Sequence, residues 1–315
     1  MKTNSQRGRR WALGVALVAT AAFLVHIGFG IDGPRPGGDD TSGVDGPEDL
    51  RQDLADYVAA LRDDAPYRTP RRAESLLLAE TIDQLSQGTV ADVSAVARRV
   101  DDLGYRVRAG IDSSTGRSFL LAADASDDER AWGMYVIDLS RPTRLVVEVP
   151  HPAFDLHTEE IGLELFRRTP GAVLAVAGTH RRVDDGAGDV AHRSDSMFHV
   201  VTARLAERGL PQVQLHGFHD GTLDKADIVL SAGVGRAGAG LRRASERLDE
   251  AGIRVCEAWS DHCGALEGRR NQQGIHAAEQ DAPFVHVEMN RSLREDREGR
   301  AEAVRILAEA DLARD

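Results

Sequence analysis

The stretch RLVVEVPHPAFDLHTEEIGLELF, residues 144–166, decides how the rest of the chain is read. Its VVEV core, Val146 to Val149, has the character of a buried strand. The run stops at Pro150-His151-Pro152, and Asp155, His157, Thr158, Glu159 and Glu160 follow before an apolar pattern resumes at Ile161–Phe166 with helical order. A strand, an irregular polar turn and a helix in succession place the turn at the carboxyl end of the strand, where open α/β sheets form their crevices. Asp155 or Thr158 is placed to cap the helix, and Glu159 and Glu160 to favour its N-terminal dipole. Capping leaves His151 without a role. A histidine with a carboxylate four residues later offers a nitrogen and an oxygen to Zn2+.

Towards the C-terminus the same alternation continues. Ala172–Ala177, Val213–His216, Ile228–Ser231, Ile253–Cys256 and Val285–Met289 read as strands, with helices over Phe198–Ala206 and Gly238–Ala251. Towards the N-terminus, Tyr105–Ala109, Ser118–Ala122, Gly133–Asp138 and Arg144–Val149 are short strand-like runs separated by SSTG, ASDDE and SRPT, and are expected to form an antiparallel meander. Antiparallel strands followed by β/α alternation predict an α/β fold, a mixed β-sheet flanked by helices, over residues 104–315. Before it, Leu50–Leu61, Ala73–Leu85 and Val90–Leu103 form a short helical lead-in, residues 50–103, with Thr89 and Asp92 as caps near the start of the third helix. GVGRAGAG, residues 233–240, departs from the dinucleotide-binding spacing and reads as a turn.

Further out, residues 1–30 read as an address. MKTNSQRGRR precedes Trp11–Gly30, a run without Asp, Glu, Lys or Arg, and twenty helical residues span about 30 Å, a bilayer's hydrocarbon core. The basic flank predicts a membrane anchor with the body exported, or a secreted body if a signal segment is cut after Ala21. Residues 31–49, rich in Gly, Pro and Asp, form a flexible linker. The chain's net charge of −12 argues against a nucleic-acid partner, since phosphate binding depends on Lys and Arg. With 42% hydrophobic and 29% charged residues it has the material for a substantial core. Cys256 and Cys263 are its only cysteines, and in an exported chain they are expected to close a local disulfide.

The remaining polar signals sit at strand ends. VQLHGFHDG brings His216 to the end of a strand about 65 residues after His151, so two ligands close in sequence and one distant give a split metal site. In FVHVEMNRSLR, period-two alternation sets His286, Glu288 and Asn290 on the face opposite Val285, Val287 and Met289. A carboxylate inside an apolar strand is costly unless paired or used, so Glu288 is a candidate catalytic group. His180 and Arg181 follow AVLAVAGT at another strand end.

EMNRSLR resembles the Glu-x-Asn-Arg-x-Leu ending of N-formylglutamate amidohydrolases. HPAFDLHTEEIG resembles, with a one-residue gap, a poly-γ-glutamate hydrolase segment, and QLHGF resembles the strand that brings in the second metal histidine. The resemblance covers about residues 140–295 and points to the zinc-dependent amidohydrolase and carboxypeptidase-like superfamily. It implies that His151, Asp155 and His216 bind zinc, with Glu159, Glu160 or His180 as alternative ligands. It further implies that Glu288 is the general base towards water, that Arg181 or Arg291 grips a substrate carboxylate, and that Asn271 helps orient substrate. Two departures stand out: the acid follows His151 by four positions instead of three, and Arg294 replaces the tyrosine expected after Arg-x-Leu. The expected activity is hydrolysis of an amide bond in a peptide, an N-acyl amino acid or a cell-envelope substrate. A metal-dependent esterase or phosphoesterase, and a noncatalytic envelope-binding protein, are the alternatives.

Overall fold

A computed structural model describes residues 47–88, 92–125 and 129–312. The expected anchor, most of the linker and the Thr89 cap lie outside the described residues. In chain order the elements are β1 (Pro47–Glu48), α1 (Leu50–Ala59), α2 (Arg72–Leu85), α3 (Val93–Val100), β2 (Arg106–Asp112), β3 (Ser118–Ala123), β4 (Met134–Asp138) and β5 (Leu145–Val149). They continue with α4 (Thr158–Arg168), β6 (Ala172–Val176), α5 (Met197–Ala206), β7 (Gln212–Phe218), β8 (Ile228–Ser231), α6 (Ala239–Glu250) and β9 (Val255–Glu257). Last come α7 (Gln272–Glu279), β10 (Phe284–Asn290), α8 (Arg291–Glu295) and α9 (Arg297–Glu309). Among the described residues no helix is long and apolar enough to cross a membrane.

The strands form one mixed sheet in the order β1-β2-β3-β4-β6-β5-β7-β10-β8-β9. β2, β3 and β4 are the expected antiparallel hairpins, but the fourth member of the meander is displaced. β6, not β5, lies against β4, and β5 runs parallel to both β6 and β7. All five residues of β5 are buried, so it needs neighbours on both edges, and α4 supplies the crossover that a parallel partner requires. The end of the expected linker also belongs to the fold: β1 pairs with β2, and the Asp49 carboxylate caps α1 by accepting from Arg51 N–H. Asp92 caps α3 in the same way, through Ala95 N–H.

Strand alternation divides the core in two. Val147, Val149, Leu174, Val176, Val213, Leu215, Val285 and Val287 face one way, against apolar residues of α1, α4, α6 and α9. Leu120, Tyr135, Val146, Val173 and Ala175 face the other way, against α2, α3 and α5. The helical lead-in is thus shared between the two faces of the sheet. In the middle of the second face the apolar pattern breaks, and β5, β7 and β10 present Glu148, Gln212, Gln214, His216, His286 and Glu288. From β5 the chain passes through α4 to β6 on one side, whereas from β7 it passes towards β8 on the other. The connections diverge between β5 and β7, the kind of switch point at whose carboxyl ends open α/β sheets place their ligand sites.

Candidate metal centre

His151 leaves the end of β5, and a tight turn brings the chain back on itself: Asp155 N–H donates to His151 C=O at 2.9 Å. Ala153 (φ 62°) and His157 (φ 70°) take left-handed backbone conformations to make this turn. Asp155 and Thr158 do not cap α4. Its N-cap is His157, which makes no side-chain capping bond, and the Asp155 carboxylate points back to the strand end. There Asp155 Oδ2 lies 3.2 Å from His151 Nδ1 and 3.4 Å from His216 Nδ1. The three side chains are buried, and their ligand atoms lie within 4.8 Å of one another.

The far nitrogens of the two rings are committed elsewhere. His151 Nε2 is 2.7 Å from Asp189 Oδ1, and a carboxylate only accepts, so Nε2 carries the proton. His216 Nε2 is 2.6 Å from Gln214 Oε1. Burial pushes the His216 imidazole down to about 4, with the neighbouring His151 adding to the effect, so its ring is neutral. Burial also disfavours charge on His151, but the hydrogen bonds its ring donates to Asp155 and Asp189 outweigh it and hold its pKa above the ordinary value. For Asp155, burial is outweighed by the two imidazoles, and its carboxyl is held well below the usual range. Without metal, a proton on His151 joins the pair; two imidazole nitrogens and a carboxylate oxygen turned towards one point are otherwise the donor set of a zinc ion. The residues present fit the metal.

Glu288 pairs in register with His216 across β7 and β10. Its Oε2 is buried and has no hydrogen-bond partner among the described residues. Burial, with the Asp155 charge next, raises its pKa well above the carboxylate range. His286 stacks on His216 with ring centroids 4.6 Å apart, and its Nδ1 also lacks a partner. Gly268 backs this ring, and a Cβ there would lie 2.7 Å from it. His216, His286 and Glu288 form a second grouping of possible ligands, but both His216 nitrogens are already engaged.

Other expected residues fall at varying removes. Arg181 donates to Asp189 Oδ2 at 2.8 Å and lies over the Phe154 ring, so it stands at the rim beside His151. His180 packs edge-on against Phe154 with centroids 5.5 Å apart, turned from the cluster. Glu160 is taken by Arg300 at 2.7 Å, and Glu159, whose pKa burial raises, sits in the first turn of α4 outside the donor group. Arg291 is exposed and bonded to Glu295 at 2.7 Å, on no residue of the cluster. Asn271 is buried and caps α7, accepting from Gly274 N–H at 2.9 Å, while its amide nitrogen donates to Gln214, so it sits beneath the centre with its groups turned inward. Arg294, in the place of the expected tyrosine, donates to the carbonyls of Leu156, Phe218 and Met289. Cys256 and Cys263 form a disulfide that ties the edge strand β9 to the following turn. Asp189 and Gln214 escaped the sequence reading. Gln214 shares the face of His216 by strand alternation, which could have marked it, whereas Asp189 sits in an irregular loop with no pattern.

No protein-family model matches the chain, and no curated protein matches it in sequence. Solved structures do. A succinylglutamate desuccinylase from Vibrio parahaemolyticus is 13% identical with a TM-score of 0.39, over 66% of each chain. A gene product of Agrobacterium tumefaciens is 14% identical with a TM-score of 0.38, over 53% of this chain and 88% of that one. A bacteriophage poly-γ-glutamate hydrolase is 13% identical with a TM-score of 0.32, over 73% of this chain and 93% of that one. Likeness at this level transfers neither activity nor ligands.

Proposed function

We propose that the chain is a zinc-dependent hydrolase of an amide or peptide bond, acting on a peptide, an N-acyl amino acid or a cell-envelope component. The observation that carries this reading is the convergence of His151, Asp155 and His216 beside the unpartnered carboxyl of Glu288. A zinc ion held by those three residues would supply Lewis acidity towards a carbonyl oxygen and make water a stronger acid. Glu288, directly opposite His216 in register, would take the proton from water on its free oxygen and return it to the leaving amine, a nearby cation's charge offsetting the burial that keeps its carboxyl protonated in the metal-free chain. Arg181 uses one arm of its guanidinium on Asp189 and is steadied on Phe154, which leaves other donors for a substrate carboxylate. Glu148, Gln214 and His286, on the same sheet face as the donor group, are buried, so the proton transfers would take place out of bulk water. Export and tethering through residues 1–30 complete the proposal and rest on the basic flank and the uncharged run.

The test begins with zinc content. About one zinc per chain should be retained by the full chain and lost from His151→Ala and His216→Ala without unfolding. Glu288→Gln should keep the zinc and lose roughly 10²–10⁴-fold in turnover on amide substrates, the contribution of a positioned general base. Zinc that survives both histidine substitutions would sink the centre. Turnover of phosphate esters alone would assign a phosphoesterase, and an unchanged phenotype in Glu288→Gln would assign a binding protein.

A further inference from the structure

We propose that Gln214 and Asn271 are positioning residues for His216: they fix which ring nitrogen carries its proton, so that Nδ1 faces the metal as a lone pair. This rests on the metal centre described above, but it is carried by a separate set of contacts.

Side-chain amides can be turned either way, and the question is what decides the orientation of Gln214. Two backbone groups, whose polarity is invariant, decide it. Gly274 N–H can only donate, and it meets Asn271 Oδ1 at 2.9 Å. The other end of Asn271 is therefore its NH2, and the atom it meets on Gln214 must be the oxygen, Oε1. Independently, Val190 C=O can only accept, and it meets Gln273 Nε2 at 3.0 Å. Gln273 therefore turns its oxygen to Gln214 at 3.2 Å, and the atom it meets there must be the nitrogen, Nε2. Both routes give the same orientation. The second hydrogen of that nitrogen goes to Glu148 Oε2 at 2.7 Å, which completes the four bonds of the amide.

Gln214 Oε1 therefore faces His216 Nε2 at 2.6 Å as an acceptor, and the ring must be protonated there. Nδ1 is left as the lone pair, directed at the point it shares with Asp155 and His151. The ring is set before any metal arrives, by Gln214 of β7 and by Asn271, the N-cap of α7, neither of which belongs to the donor group. The arrangement also gives the buried Asn271 a purpose other than holding substrate.

The test reads the tautomer directly. Long-range 1H–15N correlation spectra of the full, metal-free chain should show His216 as the neutral Nε2–H form. Gln214→Met, of similar size but without an acceptor, should lose that signature and bind zinc about 10–100-fold more weakly in a chelator competition. Gln214→Glu keeps the acceptor and should restore both. Asn271→Asp keeps the cap oxygen for Gly274 but has no hydrogen for Gln214, and should weaken zinc in the same direction. An Nδ1–H tautomer in the wild-type chain overturns the proposal and needs no variant to fold. So does unchanged zinc affinity in Gln214→Met. Either result, with zinc still lost from His151→Ala, would leave the metal centre standing and remove only the positioning role.

Discussion

Asp189 carries three contacts at once, to His151 at 2.7 Å, to Arg181 at 2.8 Å and to His192 at 3.1 Å. It orients His151, a ligand of the proposed centre, together with the Arg181 guanidinium, so Asp189→Ala should weaken zinc about 10–100-fold and also loosen Arg181. Competition with a coloured chelator measures the first, and a rise in KM for carboxylate-bearing substrates the second. Glu148 lends itself to a different measurement. Burial pushes its carboxyl from an ordinary 4.5 up to about 8, with the Gln214 bond only partly offsetting the effect. The folded chain therefore holds a proton that the unfolded chain has lost, and stability falls as pH rises from about 4.5 to about 8, then levels. Glu148→Gln should remove that slope, so its melting temperature should exceed the wild type's at pH 8 by more than at pH 5. A parallel pair of melting curves would show that burial does not act on Glu148. At this scale the sequence was legible where chemistry is unusual for its setting, as with Glu288 in an apolar strand or His151 between prolines. It was silent on Asp189, because a loop residue becomes meaningful only through what folding sets beside it.

Among the elements, the turn from β5 to α4 is the most constrained. Ala153 holds a left-handed conformation that costs a residue with a Cβ roughly 1–2 kcal/mol relative to glycine. Ala153→Gly should relieve part of this and stabilise the protein by about 1 kcal/mol, with zinc affinity unchanged, as urea unfolding would report. A loss of stability would mean that the Ala153 methyl packs more than its backbone strains. Element spans were readable from apolar periodicity: Ile228–Ser231 matches its strand, and Ile161–Phe166 falls within α4. Neighbours were not. Four short runs joined by turns read as a meander, because nothing local distinguishes a strand that pairs with its predecessor from one that is carried deeper into the sheet. Only the burial of β5 on both faces reveals the second case, and burial is a property of the assembled sheet.

For the whole molecule, the two apolar layers on either face of the sheet are complete without the candidate metal centre, which occupies a polar interruption of one of them. Chelation should therefore leave a folded protein with a lower melting temperature. At free zinc a thousandfold above Kd the gain from binding is about 4 kcal/mol, and calorimetry with and without chelator should recover a shift of that order. Unfolding on chelation would mean that the centre holds the sheet together. The mixed α/β class was legible at this scale because strand and helix periods alternate along half the chain. The placing of the donors was not, since it depends on strand order. That order has one further consequence, through Arg294. Its guanidinium joins the carbonyls of Leu156, Phe218 and Met289, which lie 138, 76 and 5 residues away in sequence. These belong to the three segments that carry Asp155, His216 and Glu288, so a single side chain closes the site only when distant parts of the chain have met. Contacts of such span cost loop-closure entropy before they reward it. A partly collapsed chain would accordingly offer a stray divalent ion no finished nest, and metal bound at the proposed centre would serve as a timekeeper of completed folding.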